Sequence, residues 1–233
     1  MADTSSLAME VESFVYENDT IGISKIDSVS FLSLKKKFER KVDTLEYTED
    51  ITEAMKILKG RVIFAGYNED TYKLDSSIVG EMIYEIRFDN GKKLNVIEQE
   101  NYGDLGFYRY YPTLDILLCE GGHSSDFSFD LKNGLIGPEV VGNPAYILKS
   151  PTNKYQLNGW FPGQECSSYF IQTINETGNK LVAELPLSIS KEGFDLCTIS
   201  DIFWVDDQTL YFRNFYYENT SDLRLGYFKL IIK

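Results

Sequence analysis

The chain has 233 residues, of which 43% are hydrophobic and 14% aromatic. This length is sufficient to bury a core without disulfide or metal support, and the aromatic content argues against disorder. Asp and Glu outnumber Lys and Arg by 36 to 23, which gives a formal net charge of −13. Because this charge repels phosphate groups and anionic lipid, the composition argues against nucleic acid and membrane surfaces as partners.

Targeting signals and cysteine usage bear on the compartment. No run approaches the roughly 18 apolar residues of a membrane span, and residues 1–6 lack the charged and apolar regions of a signal peptide. We therefore predict no membrane insertion and a cytoplasmic protein, or an extracytoplasmic one if a leader has been removed. The three cysteines, Cys119, Cys166 and Cys197, form no Cys-x-x-Cys pair. We expect buried free thiols, and one disulfide with a leftover cysteine is the alternative.

The start of the chain differs from the rest. Residues 13–26 are typical of two strands joined by a turn. Residues 28–41 have apolar side chains three and four positions apart among lysines, which favours an amphipathic helix, although the first half also fits a strand. Asp50 and Glu53 form a helix N-cap pattern, and the run that follows them ends at Gly60. A second, short helix is therefore predicted.

Turn motifs recur in the remaining sequence at nearly fixed intervals. The separations are 43 residues from Gly91 to Gly134, 44 from Gly134 to Gly178 and 44 from Gly178 to Asp222. Asn-Gly between apolar runs is a strong hairpin signal, because both residues tolerate the positive φ of a tight turn. A period of about 40–45 residues built from short strands is typical of a bladed β-propeller. The four candidate hairpin turns are residues 89–91, 132–134, 176–178 and 219–222.

Further turns, the first at residues 68–70, divide residues 61–233 into four units of two hairpins each. We predict an all-β, mainly antiparallel protein with an irregular four- to five-bladed β-propeller-like fold. Residues 1–60 form an N-terminal strand and helix segment, and a strand within residues 13–26 closes the ring, so that the whole is one domain. A β-sandwich or other antiparallel meander is the alternative, and a two-domain α+β arrangement is a third.

One turn carries a family resemblance. The stretch Ser150-Pro151-Thr152-Asn153-Lys154 precedes a strand and resembles the Ser-Pro-Asp-Gly-Lys turn of WD40-like (TolB-type) β-propeller repeats. The resemblance covers this turn well, residues 111–113 and 205–207 match it loosely, and no Trp-Asp dipeptide is present. It implies a scaffold, and that scaffold hosts lectins, interaction platforms and hydrolases alike.

Residues suited to catalysis are few. The single histidine, His123, lies in the glycine-rich stretch 120–126, so any nucleophilic triad would have to use it. A solvated turn residue is the simpler interpretation. No phosphate-binding loop, dinucleotide fingerprint, zinc-protease motif or hydrolase elbow occurs. We therefore predict that the protein is not an enzyme and has no cofactor and no metal.

Acidic and aromatic side chains remain as candidates for binding. Carboxylate chemistry needs only two acids beside a cleft, and candidates near the inter-strand loops are Asp115, Glu120, Asp126 and Glu165. Aromatic candidates for a recognition surface are Tyr108, Tyr110, Tyr111 and Trp160, although alternate aromatics in a strand are usually core. The predicted binding residues are Glu120, His123, Asp126, Trp160 and Glu165.

Charge and composition lead to two functional hypotheses. The first is a non-catalytic protein-binding scaffold whose acidic surface engages a basic partner, as an inhibitor or immunity-type protein does. The alternative is a carbohydrate-binding propeller or a carboxylate-dependent glycoside hydrolase, which requires two carboxylates beside an exposed aromatic side chain.

Overall fold

A computed structural model describes residues 13–40, 44–99, 104–164, 166–176, 178–189, 194–219 and 222–233. These residues form mainly antiparallel strands with three α-helices, so the predicted all-β class is confirmed. Within the described ranges, no helix is long and apolar enough to cross a membrane.

The elements of the described residues follow in chain order. The helices are α1 Ser28–Phe38, α2 Ile51–Ile57 and α3 Pro138–Val141. The strands are β1 Tyr16–Glu17, β2 Ile21–Lys25, β3 Val62–Asn68, β4 Lys73–Asp75, β5 Met82–Arg87, β6 Lys93–Asn95, β7 Gly106–Tyr111, β8 Ile116–Glu120, β9 Asp126–Asp130, β10 Leu135–Ile136, β11 Leu148–Lys149, β12 Tyr155–Trp160, β13 Ser168–Thr173, β14 Lys180–Glu184, β15 Ser188–Ile189, β16 Phe194–Asp195, β17 Ile199–Trp204, β18 Thr209–Asn219 and β19 Asp222–Ile232.

The chain divides into two compact units. The first unit combines Met1–Glu39 with Ser188–Lys233, and the second is Arg40–Leu187. β1, β2 and α1 are thus grouped with the C-terminal strands β15–β19.

The first unit contains a five-stranded antiparallel sheet in the order β1-β2-β19-β18-β17. Strand β2 pairs with β19 from the C-terminal end of the chain, with Ile23 opposite Leu230, and closure of a ring stays a prediction. The helix expected after residue 28 is observed as α1. Asp27 accepts a hydrogen bond from Ser30 N at 2.9 Å and so caps its first turn. The ring of Phe31 is fully buried in the core of this unit.

The second unit contains an eight-stranded sheet and a four-stranded sheet. The larger sheet has the order β10-β9-β8-β7-β5-β3-β4, with β6 beside β5, and the smaller has the order β11-β12-β13-β14. Strands of the first two repeat units therefore share one sheet, joined where Met82 pairs with Gly106. The third unit forms a separate four-stranded meander. Because separate blades are not seen for every unit, the structure does not confirm a propeller.

The four predicted hairpin turns do join neighbouring antiparallel strands. They connect β5 to β6, β9 to β10, β13 to β14, and β18 to β19. Gly91, Gly134 and Gly178 have φ values of 83°, 69° and 108°, a region that glycine enters without steric cost. Thr177, Thr220 and Ser221 of these turns lie outside the described residues. The four turns are therefore confirmed as hairpin connections, and a structural repeat stays a prediction.

The eight-stranded sheet is buried on both faces at β8. Leu117 and Cys119 belong to a core that also holds Ala54 and Leu58 at the end of α2. Ile116 and Leu118 alternate with them and pack against Val141 of α3 on the other face. Helix α2 begins as predicted, with Asp50 accepting from Glu53 N at 2.9 Å.

The cysteines differ from the expectation of three free thiols. Cys119 is free and buried, and burial raises the pKa of its thiol. Cys166 and Cys197 are disulfide-bonded, which is the alternative interpretation of the sequence.

Candidate functional site

Three of the five predicted binding residues lie together in the second unit. Asp126, the first residue of β9, is directly opposite Glu120, the last residue of β8. The backbone N–H of Asp126 donates to the carbonyl of Phe161 at 2.7 Å. Phe161 follows Trp160, the last residue of β12. The structure therefore places Glu120, Asp126 and Trp160 around one junction between the two sheets.

The carboxylate of Asp126 is an anchor rather than an open acid. The residue is 6% exposed, and its Oδ2 accepts hydrogen bonds from Phe161 N at 2.7 Å and Asn143 Nδ2 at 2.9 Å. Burial raises the pKa of Asp126, the two hydrogen bonds oppose that rise, and the negative charge of Glu120 adds to it. The side chain thus ties β9 to the end of β12 and to the loop after α3.

The other predicted residues differ in accessibility. Glu120 is exposed, whereas Trp160 is half-buried and pairs with Ser168 across β12 and β13. His123 lies in the one-turn helix Gly122–Ser124 between β8 and β9, but its side chain is outside the described residues. Glu165 is also outside them.

Asp115, a further acidic candidate, is engaged in a cluster of its own. Its carboxylate accepts two hydrogen bonds from the guanidinium of Arg61, at 2.9 and 2.6 Å, and one from the hydroxyl of Tyr110 at 2.8 Å. Burial and the nearby carboxylate raise the pKa of Tyr110 to about 12. These contacts hold the turn between β7 and β8 against the start of β3, so Asp115 has a structural role.

A surface that the sequence did not single out lies at the β3–β4 hairpin. The turn after β3 is closed by Asn68, whose Oδ1 accepts from Asp70 N at 3.0 Å and Thr71 N at 3.1 Å. The carbonyl of Asn68 accepts from Tyr72 N at 2.8 Å, and Tyr72 has a φ of 53°. Asn is favoured in such turns because its short side chain bonds the backbone two residues on.

The chain that returns from this hairpin packs closely on β3. Gly66 N donates to the carbonyl of Ile78 at 2.8 Å. A Cβ atom added to Gly80 would lie 2.4 Å from the carbonyl oxygen of Ala65, a distance that requires the backbone to move. The hairpin is therefore held in place by backbone contacts.

The hairpin and the segment that follows β4 expose apolar side chains among acids. Tyr67, Tyr72 and Val79 are 46%, 86% and 87% exposed. The exposed acids around them outnumber the one lysine, Lys73. We call this set the acidic tyrosine surface, and it consists of Tyr67, Glu69, Asp70, Tyr72, Val79, Glu81 and Asp104.

One hydrogen bond orders this surface. The hydroxyl of Tyr67 donates to the carboxylate of Asp104. This hydrogen bond, together with burial, raises the pKa of Tyr67 to about 12, so the phenol stays neutral near pH 7. The ring of Tyr67 is thereby fixed beside the turn that carries Tyr72.

The sequence contained a partial signal for this surface. The turn at residues 68–70 is predicted, and it contains two acids, Glu69 and Asp70. Exposure of Tyr67 was not predictable, because alternate aromatics in a strand normally face the core.

Comparisons of the chain with protein-family models, with curated proteins and with solved structures give no match. Within the described part of the chain, no group of three or more His, Cys, Asp or Glu side chains is placed to hold a metal ion.

Proposed function

We propose that the protein is a non-catalytic binding protein that engages a basic protein partner through the acidic tyrosine surface. The observation that carries the proposal is the exposure of Tyr72, at 86%, on a hairpin tip that also carries Glu69 and Asp70, and of Val79, at 87%, in the chain that returns from the hairpin. Exposed apolar side chains that are rimmed by polar residues can mark protein interaction sites.

The two kinds of side chain would have different roles in binding. Tyrosine rings supply contact area at low conformational cost and are enriched among residues that dominate binding energy. Carboxylates around them steer a basic partner and raise its association rate. The second unit as a whole has 22 Asp and Glu against 14 Lys and Arg, so its field adds to the local one.

Two of the acidic candidates for catalysis have structural contacts, which favours a non-catalytic protein. Asp126 and Asp115 each accept hydrogen bonds from neighbouring protein groups. Both carboxylates are therefore engaged in holding the fold together. An inhibitor or immunity-type protein that neutralises a basic enzyme or toxin is the biological form that fits an acidic, non-catalytic scaffold.

The test uses a nona-arginine peptide as a probe, followed by amide chemical shifts in low salt. We expect shift changes centred on residues 67–81 and 104. Glu69→Lys combined with Asp70→Lys is expected to weaken binding by about tenfold, because two attractive charges become repulsive. Binding is also expected to weaken as salt is added, since exposed charges are screened.

The matched control is Glu176→Lys with Glu184→Lys, two exposed acids elsewhere in the same unit. It makes the same change in net charge and is expected to alter affinity by less than about twofold. Equal weakening by both pairs would mean that net charge alone governs binding, and the proposal for this surface would then be wrong.

The strand order of the smaller sheet bears on the architecture of the scaffold. The four-stranded meander β11–β14 has the strand order of one propeller blade, which supports a propeller-derived scaffold, although a ring stays a prediction.

The disulfide-bonded state of Cys166 and Cys197 supports an oxidising, extracytoplasmic compartment, since such bonds are rare in the cytosol.

Carbohydrate binding or hydrolysis is the second candidate, favoured by the Glu120–Asp126 pair. Glu120 and Asp126 are directly opposite each other in the β8–β9 ladder, so their side chains are neighbours, and glycosidases use two neighbouring acids. Trp160 lies at the same junction, and Asp126 has a raised pKa.

Chromogenic aryl glycosides and a glycan array test this candidate. It predicts hydrolysis that Glu120→Gln reduces by about a thousandfold or more, or glycan binding that Trp160→Ala abolishes. Absence of both hydrolysis and glycan binding in the unmodified protein would exclude it.

A further inference from the structure

A separate cleft of about 260 Å³ lies on the second unit. Its lining includes Leu45 and Tyr47, in the segment before α2, and Arg109 and Tyr111 of β7. Pro144, Ala145 and Ile147, after α3, also line it. Most of this lining is apolar, and Arg109 is the charged side chain within it.

Arg109 is held in place by aromatic rings. Its guanidinium carbon lies 4.4 Å from the ring centre of Tyr47 and 4.6 Å from that of Tyr108. Tyr47 in turn packs on Tyr111, with ring centres 5.6 Å apart. Cation–π contacts of this kind orient the planar guanidinium, so less side-chain freedom is lost when it binds an anion.

Within the described structure the guanidinium has side-chain hydrogen bonds with Tyr111 and Glu49, which leave Nε unpaired. Its Nε atom is buried and has no hydrogen-bond partner there. The contact with Glu49 is a single one of 3.4 Å, and the side chain of Glu49 is 64% exposed. Ion pairs that are this long and this exposed contribute little, so Glu49 can give way to another carboxylate.

The part of the lining that follows α3 is held by buried hydrogen bonds. Asn143 Oδ1 accepts from Ala145 N at 3.0 Å, and its Nδ2 donates to Asp126 at 2.9 Å. Asn158, which is fully buried, donates from Nδ2 to the carbonyl of Val141 at 3.0 Å. These bonds fix the segment after α3, so the cleft has a formed shape.

We propose that this cleft binds a small organic carboxylate with an apolar body, such as an aryl-acetate. The guanidinium of Arg109 supplies planar donors that match a carboxylate, and the apolar walls receive the rest of the ligand. The volume is slightly below the roughly 300–1,000 Å³ of sites for drug-sized molecules, so the ligand is small. The site is independent of the acidic tyrosine surface.

Phenylacetate and its neutral isostere phenylacetamide are the probes, titrated into the full chain and followed by amide chemical shifts. We expect phenylacetate to bind at least about tenfold more tightly than the amide, because only the acid forms a charge-assisted pair. Arg109→Gln is expected to weaken phenylacetate binding by about tenfold or more while leaving binding of the amide nearly unchanged.

Glu49→Gln is expected to change the affinity for phenylacetate in the direction opposite to Arg109→Gln. Removal of the competing carboxylate is expected to strengthen phenylacetate binding by about two- to fivefold. Glu46→Gln removes the same charge from an exposed residue three positions before Glu49, the acid that pairs with Arg109, and it is expected to give a smaller rise. Arg109→Lys, which keeps the charge but not the planar fork, is expected to bind with intermediate affinity.

Three results would overturn the proposal. These are equal binding of acid and amide, unchanged phenylacetate affinity in folded Arg109→Gln, and equal effects of the Glu49 and Glu46 variants. None of these depends on the basic-partner proposal, because neither probe is cationic and no variant lies in the acidic tyrosine surface.

Discussion

An Asp126→Ala variant is expected to lose about 2–4 kcal/mol of the free energy of unfolding, because two buried donors lose their acceptor. Phe161 N and Asn143 Nδ2 both bond Asp126 Oδ2, and Asn143 is only 7% exposed. Each buried group left unsatisfied costs about 1–3 kcal/mol. Urea unfolding with the slope held in common between variants measures the loss.

Glu120→Ala is the matched control, since it removes an acid that is opposite Asp126 but exposed. Its expected effect is within about 0.5 kcal/mol. Similar losses in both variants would show that charge, and not the buried hydrogen bonds, stabilises this junction.

The loss of unfolding free energy caused by Asp126→Ala is expected to depend on pH. Burial raises the pKa of Asp126 in the folded state above its unfolded value of about 3.9. The folded state therefore binds more protons in that window, and the stability contributed by the protonated group is lost as pH rises through the folded pKa. The loss caused by Asp126→Ala is thus expected to be greater near pH 4 than at pH 7.

Hairpins and helix starts could be predicted because they depend on local chemistry. Asn90-Gly91 and Asn133-Gly134 need positive φ at glycine, and the structure has 83° and 69° there. Asp50 caps α2 through a bond to the residue three positions on. In each case the residues that determine the geometry are adjacent in the sequence.

The arrangement of sheets could not be predicted in this way. The first two repeat units share a sheet because β5 pairs with β7 at Met82 and Gly106. The alternation of side chains in a strand fixes which face is buried, but it does not tell which strand lies alongside. Separate blades and a merged sheet therefore give the same pattern.

The candidate sites show the same limit. The candidate residues Glu120, Asp126 and Trp160 lie together at one junction, and their role in binding stays a prediction. The role of Asp126 depends on Asn143, a contact across 17 residues that no local pattern indicates. Arg109 was missed because its importance comes from the rings packed on it.

Asp115→Asn is expected to lower the free energy of unfolding by about 2–3 kcal/mol, because it removes a charge-assisted, two-bond pair. The side chains of Arg61 and Asp115 are 27% and 18% exposed, so the loss falls below that for a fully buried pair. Asn is the informative substitution, since Asp115 has a φ of 55° and Asn tolerates that region. Asp115→Ala is expected to lose more, because it adds backbone strain to the lost contacts.

Tyr110→Phe separates the hydroxyl from the ion pair. It keeps the Arg61–Asp115 contacts, and its expected cost is about 1 kcal/mol, the net value of one hydrogen bond.

The raised pKa of Tyr110, about 12, means that the folded state retains a proton that the unfolded state loses above about pH 10. Stability contributed by this group is therefore lost between about pH 10 and 12, and Tyr110→Phe is expected to reduce that alkaline loss. If Asp115→Asn cost no more than Tyr110→Phe, the bond to Tyr110 and not the pair with Arg61 would hold this turn.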